Sequence, residues 1–490
     1  MRNSALDRTC ALLTLVTLWW LFFFTASALC LGSFLNVVIY RLPAGLAIHR
    51  PVWSFCPRCD NRIAWYDNLP VVGFLRLRGR CRNCWAPISA RYPQIELMTA
   101  MLVIVLVDTF FVGQARDGLQ TIADLNVRIA DDWPIFLAHV IVFACLLAMS
   151  AIDIQYYWVD IRFTHFATLC GFALHAIWTP SHSRSWVRPF DTTIVVTGAM
   201  FIVFVGVWLF LRRRGEEIPE SEQEVAIDEP DPPSEPASVV AVGIPLAVFA
   251  FAMITVGASA MMAGWALPFG IRAGVPLAFL GLVIVREASR VRESDTEIAE
   301  IIEAEAPAAR SGAFGEFLVL LPALVAGAVV WWYLREAADY AASMRNMIHW
   351  TPFDSNWQPV WGLGTAVAGY TIAAGIGWTI RLVFNFAFAK EAYATGDIHM
   401  MAAAGAVIGW QAVLLGFVVA CGLALIGWLA ALPFKRAAAI PLGPWLTLGF
   451  LVATVFYKPL VATRVVQNLV TVSDLLFFNN SPIVPNGFTP

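Results

Sequence analysis

Long apolar blocks alternate with short polar segments over most of the chain, and this pattern predicts a bundle of membrane-spanning helices. A helix of about 20 apolar residues crosses a bilayer core of roughly 30 Å. The predicted spans are residues 12–31, 94–112, 135–154, 163–178, 192–210, 239–259, 266–285, 317–334, 363–380, 400–432 and 442–457. The block 400–432 is too long for one untilted span, so two short helices that turn near Gly409 or Gly416 remain an alternative there.

Composition supports this fold class. Of the 490 residues, 59% are hydrophobic and 14% are charged, whereas soluble proteins are nearer half apolar and a quarter charged. We predict an all-α polytopic membrane protein of about 10–12 transmembrane helices with a small cytosolic zinc-binding loop domain. The first apolar block lacks a small-residue cleavage site followed by a polar start, so we expect it to stay in the protein as a helix.

Basic residues in the loops predict the orientation. The segment 41–91 contains nine arginines and two aspartates. Short loops rich in Lys and Arg stay on the cytosolic side, so this segment is expected in the cytosol and the N-terminus outside. Counting spans from there places Asp153, the arginines 212–214, the basic segment 286–292 and Lys390 on the same side. The expected location is the cytoplasmic (inner) membrane, with lipid as a partner and no nucleic acid.

The chain divides into seven predicted regions. They are an N-terminal transmembrane helix (1–40), a cytosolic tetracysteine domain (41–93), transmembrane helices (94–211), an acidic disordered loop (212–238), an additional transmembrane region with a charged insertion at 287–310 (239–360), a further transmembrane region (361–460) and a C-terminal tail (461–490). The two polar insertions carry no recognisable chemistry and are interpreted as solvated spacers.

Four of the nine cysteines form two pairs with C-x2-C spacing, namely Cys56, Cys59, Cys81 and Cys84. Zinc favours four thiolates in a tetrahedron, and each C-x2-C turn presents two sulfurs to one metal. A closed four-ligand site is structural rather than catalytic. The sequence therefore predicts that structural Zn2+ folds this loop, and buried thiols without a metal are the alternative.

Two aspartates at predicted helix ends are the candidate catalytic residues. Asp153 follows an apolar run, and Asp397 lies between two apolar stretches directly after Gly396. Ionisable residues at membrane depth are costly and indicate function. Two carboxylates in a poorly solvated site cannot both ionise readily, so they share a proton and can act as acid and base in peptide hydrolysis. The alternative is that each aspartate only caps a helix, an interpretation that suits Asp160, beside Arg162, better than Asp153.

The chain resembles the type IV prepilin peptidases, which are bifunctional leader peptidases and N-methyltransferases, in an ordered set of segments. The resemblance rests on GSFLNVVIYRLP (32–43), the two cysteine pairs, IAWYDNLP (63–70), RGRC (78–81), PISARYP (87–93), Asp153, the stretch from Lys390-Glu391 through Gly396-Asp397 to Gly409-Trp410, and IPLGP (440–444).

The resemblance implies an aspartic endopeptidase that removes a basic leader after Gly from type IV prepilins or type II secretion pseudopilins. It implies Asp153 and Asp397 as catalytic residues, with Lys390, Glu391, Gly396 and His399 as supporting motif residues. It also implies N-methylation of the new N-terminus with S-adenosyl-L-methionine, involving the loop 41–91; no glycine-rich cofactor loop is visible in the sequence.

The chain departs from the family pattern at several positions. Ala394 replaces the first Gly of the Gly-x-Gly-Asp motif, and His399 replaces a Lys. Asp160 falls where the family has Pro, and Ile161 where it usually has a second Asp or Asn. Residues 212–334 and 336–360 are expansions. A non-catalytic pilus or secretion assembly protein is the competing function, whereas the cysteine loop and the lack of internal repeats disfavour a proton-coupled transporter.

Overall fold

The computed structural model describes residues 2–49, 52–115, 119, 124–156, 159–178, 192–214, 239–261, 267–288, 309–336, 358–388, 393–431, 441–464 and 467. The regular secondary structure of the described part is helical, apart from two isolated β-bridges in the cysteine loop. The acidic segment 215–238, most of the charged insertion, Lys390 and Glu391 lie outside the described residues.

The helices follow one another as the apolar blocks predict. They are α1 (Arg2–Arg41), α2 (Val72–Arg76), α3 (Arg91–Val107), α4 (Leu125–Tyr156), α5 (Ile161–Ile177), α6 (Thr192–Arg214), α7 (Val239–Met261), α8 (Phe269–Ala288), α9 (Ala309–Glu336), α10 (Gln358–Phe388), α11 (Thr395–Ile408), α12 (Trp410–Ala431), α13 (Gly443–Val455) and α14 (Tyr457–Val461). A π-helical turn, Asp108–Val112, continues α3.

Eight of the described helices are long and apolar enough to cross a membrane, and shorter apolar helices occur at Phe269–Ile284 and Gly443–Val455. The long block 400–432 is two helices, because α11 ends at Ile408 and α12 begins at Trp410. Gly409 between them has φ of +85°, a conformation that favours glycine. Of the alternatives left open for this block, the structure has two helices that meet at Gly409.

Four helices form the interior of the bundle. Nearly all side chains of α3, α11 and α13 are buried, as is most of α4. Outer helices such as α1, α9 and α12 keep large apolar side chains exposed, including Trp19, Trp332 and Leu429. Helices whose outward-facing side chains are also apolar are suited to the hydrocarbon core of a membrane. The chain is thus built as an integral membrane protein.

The cysteine loop is anchored to one end of this bundle. The backbone N–H of Val71 donates to the buried carboxylate of Glu96 on α3 over 2.7 Å, and Asn36 of α1 donates to the carbonyl of Tyr92 over 3.0 Å. On the same end, the Arg91 guanidinium donates to the carbonyl of Ala151 near the end of α4. The loop is therefore fixed next to the helix ends that carry the candidate aspartates.

Candidate active site and candidate metal centre

The two candidate catalytic aspartates lie at one end of the bundle interior. Asp153 is three residues before the end of α4, and Asp397 is in the first turn of α11. Both residues are only 7% exposed, and their carboxylates are close enough to interact electrostatically. The structure thus brings together two carboxylates that are 244 residues apart in sequence.

Gly443, the first residue of α13, marks the point where three inner helices meet. A Cβ atom added to Gly443 would lie 2.6 Å from Oδ2 of Asp153 on α4 and 3.4 Å from Sδ of Met400 on α11. A side chain at this position would therefore occupy the space of the Asp153 carboxylate. The resemblance includes Gly443 only as part of the segment IPLGP (440–444), and the sequence predicts no role for it.

Helix capping explains part of the position of Asp397. Ala394 is the N-cap residue of α11 and Asp397 is three positions later, in the first turn, which is the position of the acidic residue in a capping box. Capping does not explain Asp153. It lies at the C-terminal end of α4, where the helix dipole disfavours a negative charge by about 0.3–1 kcal/mol. A buried carboxylate in that place needs another reason.

Asp160 has the structural role that the sequence favours for it. It is the N-cap of α5, and its carboxylate accepts from the backbone N–H of Arg162 over 2.8 Å. The Arg162 guanidinium also pairs with the carboxylate, with Nη2 and Oδ2 2.5 Å apart. The capping interpretation of Asp160 is confirmed.

In this fold only one of the two glycine positions of the Gly-x-Gly-Asp motif requires a glycine. Ala394 has φ of −72°, which any residue adopts, so the replacement of Gly by Ala causes no backbone strain. A Cβ atom at Gly396, by contrast, would lie 2.7 Å from Cβ of Val159. Gly396 is therefore the position where the chain passes too close to Val159 for a side chain.

The ring of His399 lies 6.1 Å from that of His165.

The four paired cysteines form one cluster, with all four Sγ atoms within 4.8 Å of one another and those of Cys56 and Cys84 3.9 Å apart. They are free thiols. A tetrahedron with Zn–S bonds of about 2.3 Å places its sulfurs about 3.8 Å apart. The described cluster fits a metal ion of this kind with little movement.

Two matching backbone turns hold the cysteines. In each turn the first Cys donates its N–H to the residue five positions later, from Cys56 to Asn61 and from Cys81 to Ala86. The residue after each second Cys has a positive φ, 51° at Asp60 and 58° at Trp85, and donates back to the first Cys. The sequence spacing thus produces two equal turns that present their sulfurs to a common point.

An ion pair joins the second turn to the rest of the loop. The Arg82 guanidinium binds both carboxylate oxygens of Asp67, each over 2.6 Å. Hydrogen bonding to Arg82 holds the pKa of Asp67 below its usual value. Because the folded-state pKa is lowered, this contribution to stability is present above the unfolded pKa of Asp and is lost as the pH falls through the folded value.

We expect the purified protein to contain one zinc per chain. Cys56→Ser or Cys84→Ser should abolish stoichiometric zinc, because three thiolates leave the tetrahedron open and the loop has little core of its own. Cys30→Ser is the matched control, since Cys30 is an exposed thiol on α1 outside the cluster, and it should keep its zinc. Elemental analysis measures the content. Stoichiometric zinc that survives both cluster substitutions would contradict the assignment.

Comparison with known proteins agrees with this arrangement. Residues 27–110, which contain the cysteine cluster, match the bacterial peptidase A24 N-terminal domain. Parts of the chain are also similar to proteins named prepilin leader peptidase/N-methyltransferase. No solved structure matches it.

Three curated relatives show the extent of the similarity. A prepilin leader peptidase/N-methyltransferase of Myxococcus xanthus is 40% identical over 30% of this chain and 37% of its own length. One of Klebsiella pneumoniae is 50% identical over 18% of this chain and 40% of its own length. A type 4 prepilin-like proteins leader peptide-processing enzyme of Escherichia coli is 33% identical over 37% of this chain and 64% of its own length. The chain thus covers less than two thirds of each of these relatives.

Proposed function

We propose that this chain is a membrane aspartic endopeptidase that removes the basic leader of type IV prepilins or type II secretion pseudopilins after Gly. The observation that carries the proposal is the pair of buried carboxylates, Asp153 and Asp397, which interact across two helices at one end of the bundle. The relatives named above as prepilin leader peptidases support the same reaction.

In this proposal the two carboxylates act as a unit. Buried at interacting distance, they share one proton, because two negative charges in a poorly solvated site repel each other strongly. The ionised carboxylate takes a proton from the attacking water, and the protonated one donates to the scissile carbonyl. The basic segments 41–91 and 212–214 support a location of this end of the bundle at the cytosolic face of the inner membrane, the side proposed for the basic leader of the prepilin.

Leader removal by the purified protein tests the proposal. The substrate is a prepilin with a basic leader that ends in Gly directly before an apolar helix, and leader loss is followed on a gel. Cleavage of this substrate, but not of one with Val in place of that Gly, is the expected result. If the full chain binds zinc and leaves both substrates intact, the non-catalytic assembly role replaces the enzymatic one.

The second proposed step is methylation of the new N-terminus, for which S-adenosylmethionine would supply the methyl group. A cavity of about 360 Å³ between α3, α4, α8 and α13 fits a ligand of this kind. Its walls are largely apolar, and Gln94, Gln155, Arg286 and Glu287 line it at the end of the bundle that carries Asp153. Arg286 and Glu287 pair with each other over 3.8 Å, and in this proposal they would instead bind the amino-acid group and the cationic sulfonium of the ligand. Ser89 and Arg91, from the end of the cysteine loop, also line it.

We expect Val283→Trp to abolish S-adenosylmethionine binding, because Val283 lines this cavity and an indole ring would fill much of it. Leu282→Trp is the matched control on the same helix, since Leu282 is 67% exposed and does not line the cavity. Equilibrium dialysis with labelled S-adenosylmethionine measures both. Equal binding by the two variants would exclude this cavity as the methyl-donor site.

A further inference from the structure

Arg381 connects an added helix to the backbone that precedes Asp397. It lies near the end of α10, and its Nε and Nη2 atoms donate to the Glu316 carboxylate on α9 over 3.0 and 2.9 Å. Its Nη1 atom donates to the backbone carbonyl of Tyr393 over 2.6 Å. The Arg381 and Glu316 side chains are only 7% and 8% exposed. A buried guanidinium with these partners has a fixed position, because its planar fork matches the carboxylate.

The carbonyl of Tyr393 and the N–H of Ala394 belong to the same peptide group. The carbonyl accepts from Arg381, and the N–H belongs to the N-cap residue of α11, three positions before Asp397. Because a peptide group is planar and its C=O and N–H point in opposite directions, fixing one end fixes the other. A hydrogen bond to the carbonyl also polarises the group and strengthens its N–H as a donor. Arg381 therefore fixes the start of α11 and, with it, the first turn that carries Asp397.

The side chain of Tyr393 fixes the same peptide from a second direction. Its hydroxyl donates to Sδ of Met401 on α11 over 2.8 Å, and its ring lies 6.1 Å from that of Phe417 on α12. The peptide consequently has little freedom to rotate while Arg381 stays in place. The orientation of this peptide therefore depends on the Arg381 guanidinium, and Glu316 is the carboxylate that holds the guanidinium in position.

We propose that Glu316 and Arg381 are positioning residues for Asp397, acting through the peptide between Tyr393 and Ala394. The inference rests on the proposed peptidase function. Glu316 lies in the region 239–360, which the sequence presents as an expansion beyond the family pattern. In this chain the added helix α9 is thus part of the support of the catalytic aspartate rather than a spacer.

A second buried ion pair provides the control. Asp108 at the π-helical turn and Arg272 on α8 are joined by Oδ1–Nη2 and Oδ2–Nε contacts of 2.8 and 3.0 Å, and their side chains are 1% and 6% exposed. This pair also ties an added helix to the bundle. No described contact connects it to the peptide before Asp397. Asp108→Asn and Glu316→Gln therefore remove equivalent charges, and only the second change affects the support of Asp397.

The experiment measures leader removal and amide hydrogen exchange in the full chain. Glu316→Gln should lower kcat about tenfold or more with little change in KM, because a small misplacement of a catalytic group is costly. It should also accelerate exchange at residues 393–397. Asp108→Asn should leave kcat and this exchange unchanged. Wild-type kcat in Glu316→Gln would overturn the proposal.

The charge swap Glu316→Arg with Arg381→Glu separates positioning from simple pairing. It restores an ion pair between α9 and α10, but a carboxylate at 381 cannot donate to the carbonyl of Tyr393. Rapid amide exchange at residues 393–397 in the swapped variant would support the positioning role. Wild-type kcat together with wild-type exchange would overturn it. If the wild-type chain removes no leader, the peptidase function fails, and the exchange comparison of Glu316→Gln with Asp108→Asn still decides the structural link.

Discussion

Asp153→Asn and Asp397→Asn should each abolish leader removal. Asn has nearly the shape of Asp but cannot transfer a proton as a carboxyl group does, and general acid–base catalysis contributes roughly 100-fold to 10,000-fold. Because the two carboxylates act as a unit, the double variant should be little worse than either single variant. The measurement is the initial rate of leader loss, with zinc content as the check that each variant is folded.

Asp160→Asn is the matched control for both substitutions. Asp160 is also buried, at 3% exposure, but it caps α5 and pairs with Arg162. Asn is as good an N-cap as Asp, so this variant should cleave at a rate within a few-fold of the wild type. A dead Asp160→Asn combined with an active Asp153→Asn would mean that the first catalytic aspartate has been assigned to the wrong position. Unchanged processing in both catalytic variants would favour the assembly role.

Local patterns in the sequence predict much of this architecture because they depend on neighbouring residues only. Apolar blocks give the helices, the C-x2-C spacing gives two equal turns, and the Asp160-Ile161-Arg162 sequence gives a helix cap. Helix ends are predicted less well. The sequence places the start of the third span at residue 135, whereas α4 begins at Leu125. The charged pair Asp131-Asp132 suggests a polar boundary, but Asp132 is buried and accepts from the indole of Trp178.

The contacts that organise the candidate site depend on helices that are distant in sequence. Nothing in the residues around Gly443 indicates that it faces Asp153, because that contact is set by how α13 packs on α4. Glu316 and Arg381 could have been noticed, since each is an ionisable residue at the edge of a predicted span, and such residues are costly unless paired. Which partner each one takes is decided by the packing of α9 on α10.

Gly443→Ala should lower kcat for leader removal by about 100-fold while leaving the fold intact. The added methyl group would lie 2.6 Å from Oδ2 of Asp153, so the carboxylate must move, and a displacement of about 1 Å can cost a factor of that size. Gly443 does not have a positive φ, and Ala is a better helix former than Gly. The backbone therefore gives no reason for unfolding, and the effect should appear in kcat rather than in KM or zinc content.

Gly422→Ala on α12 controls for the general effect of adding a methyl group to a helical glycine. A Cβ atom at Gly422 would meet no atom within 4 Å, so this variant should process prepilin at the wild-type rate. Gly443→Ala with wild-type kcat would show that the carboxylate of Asp153 tolerates displacement, which a general acid or base in a buried pair does not. Asp153 would then have a role other than proton transfer, even if Asp397 remained essential.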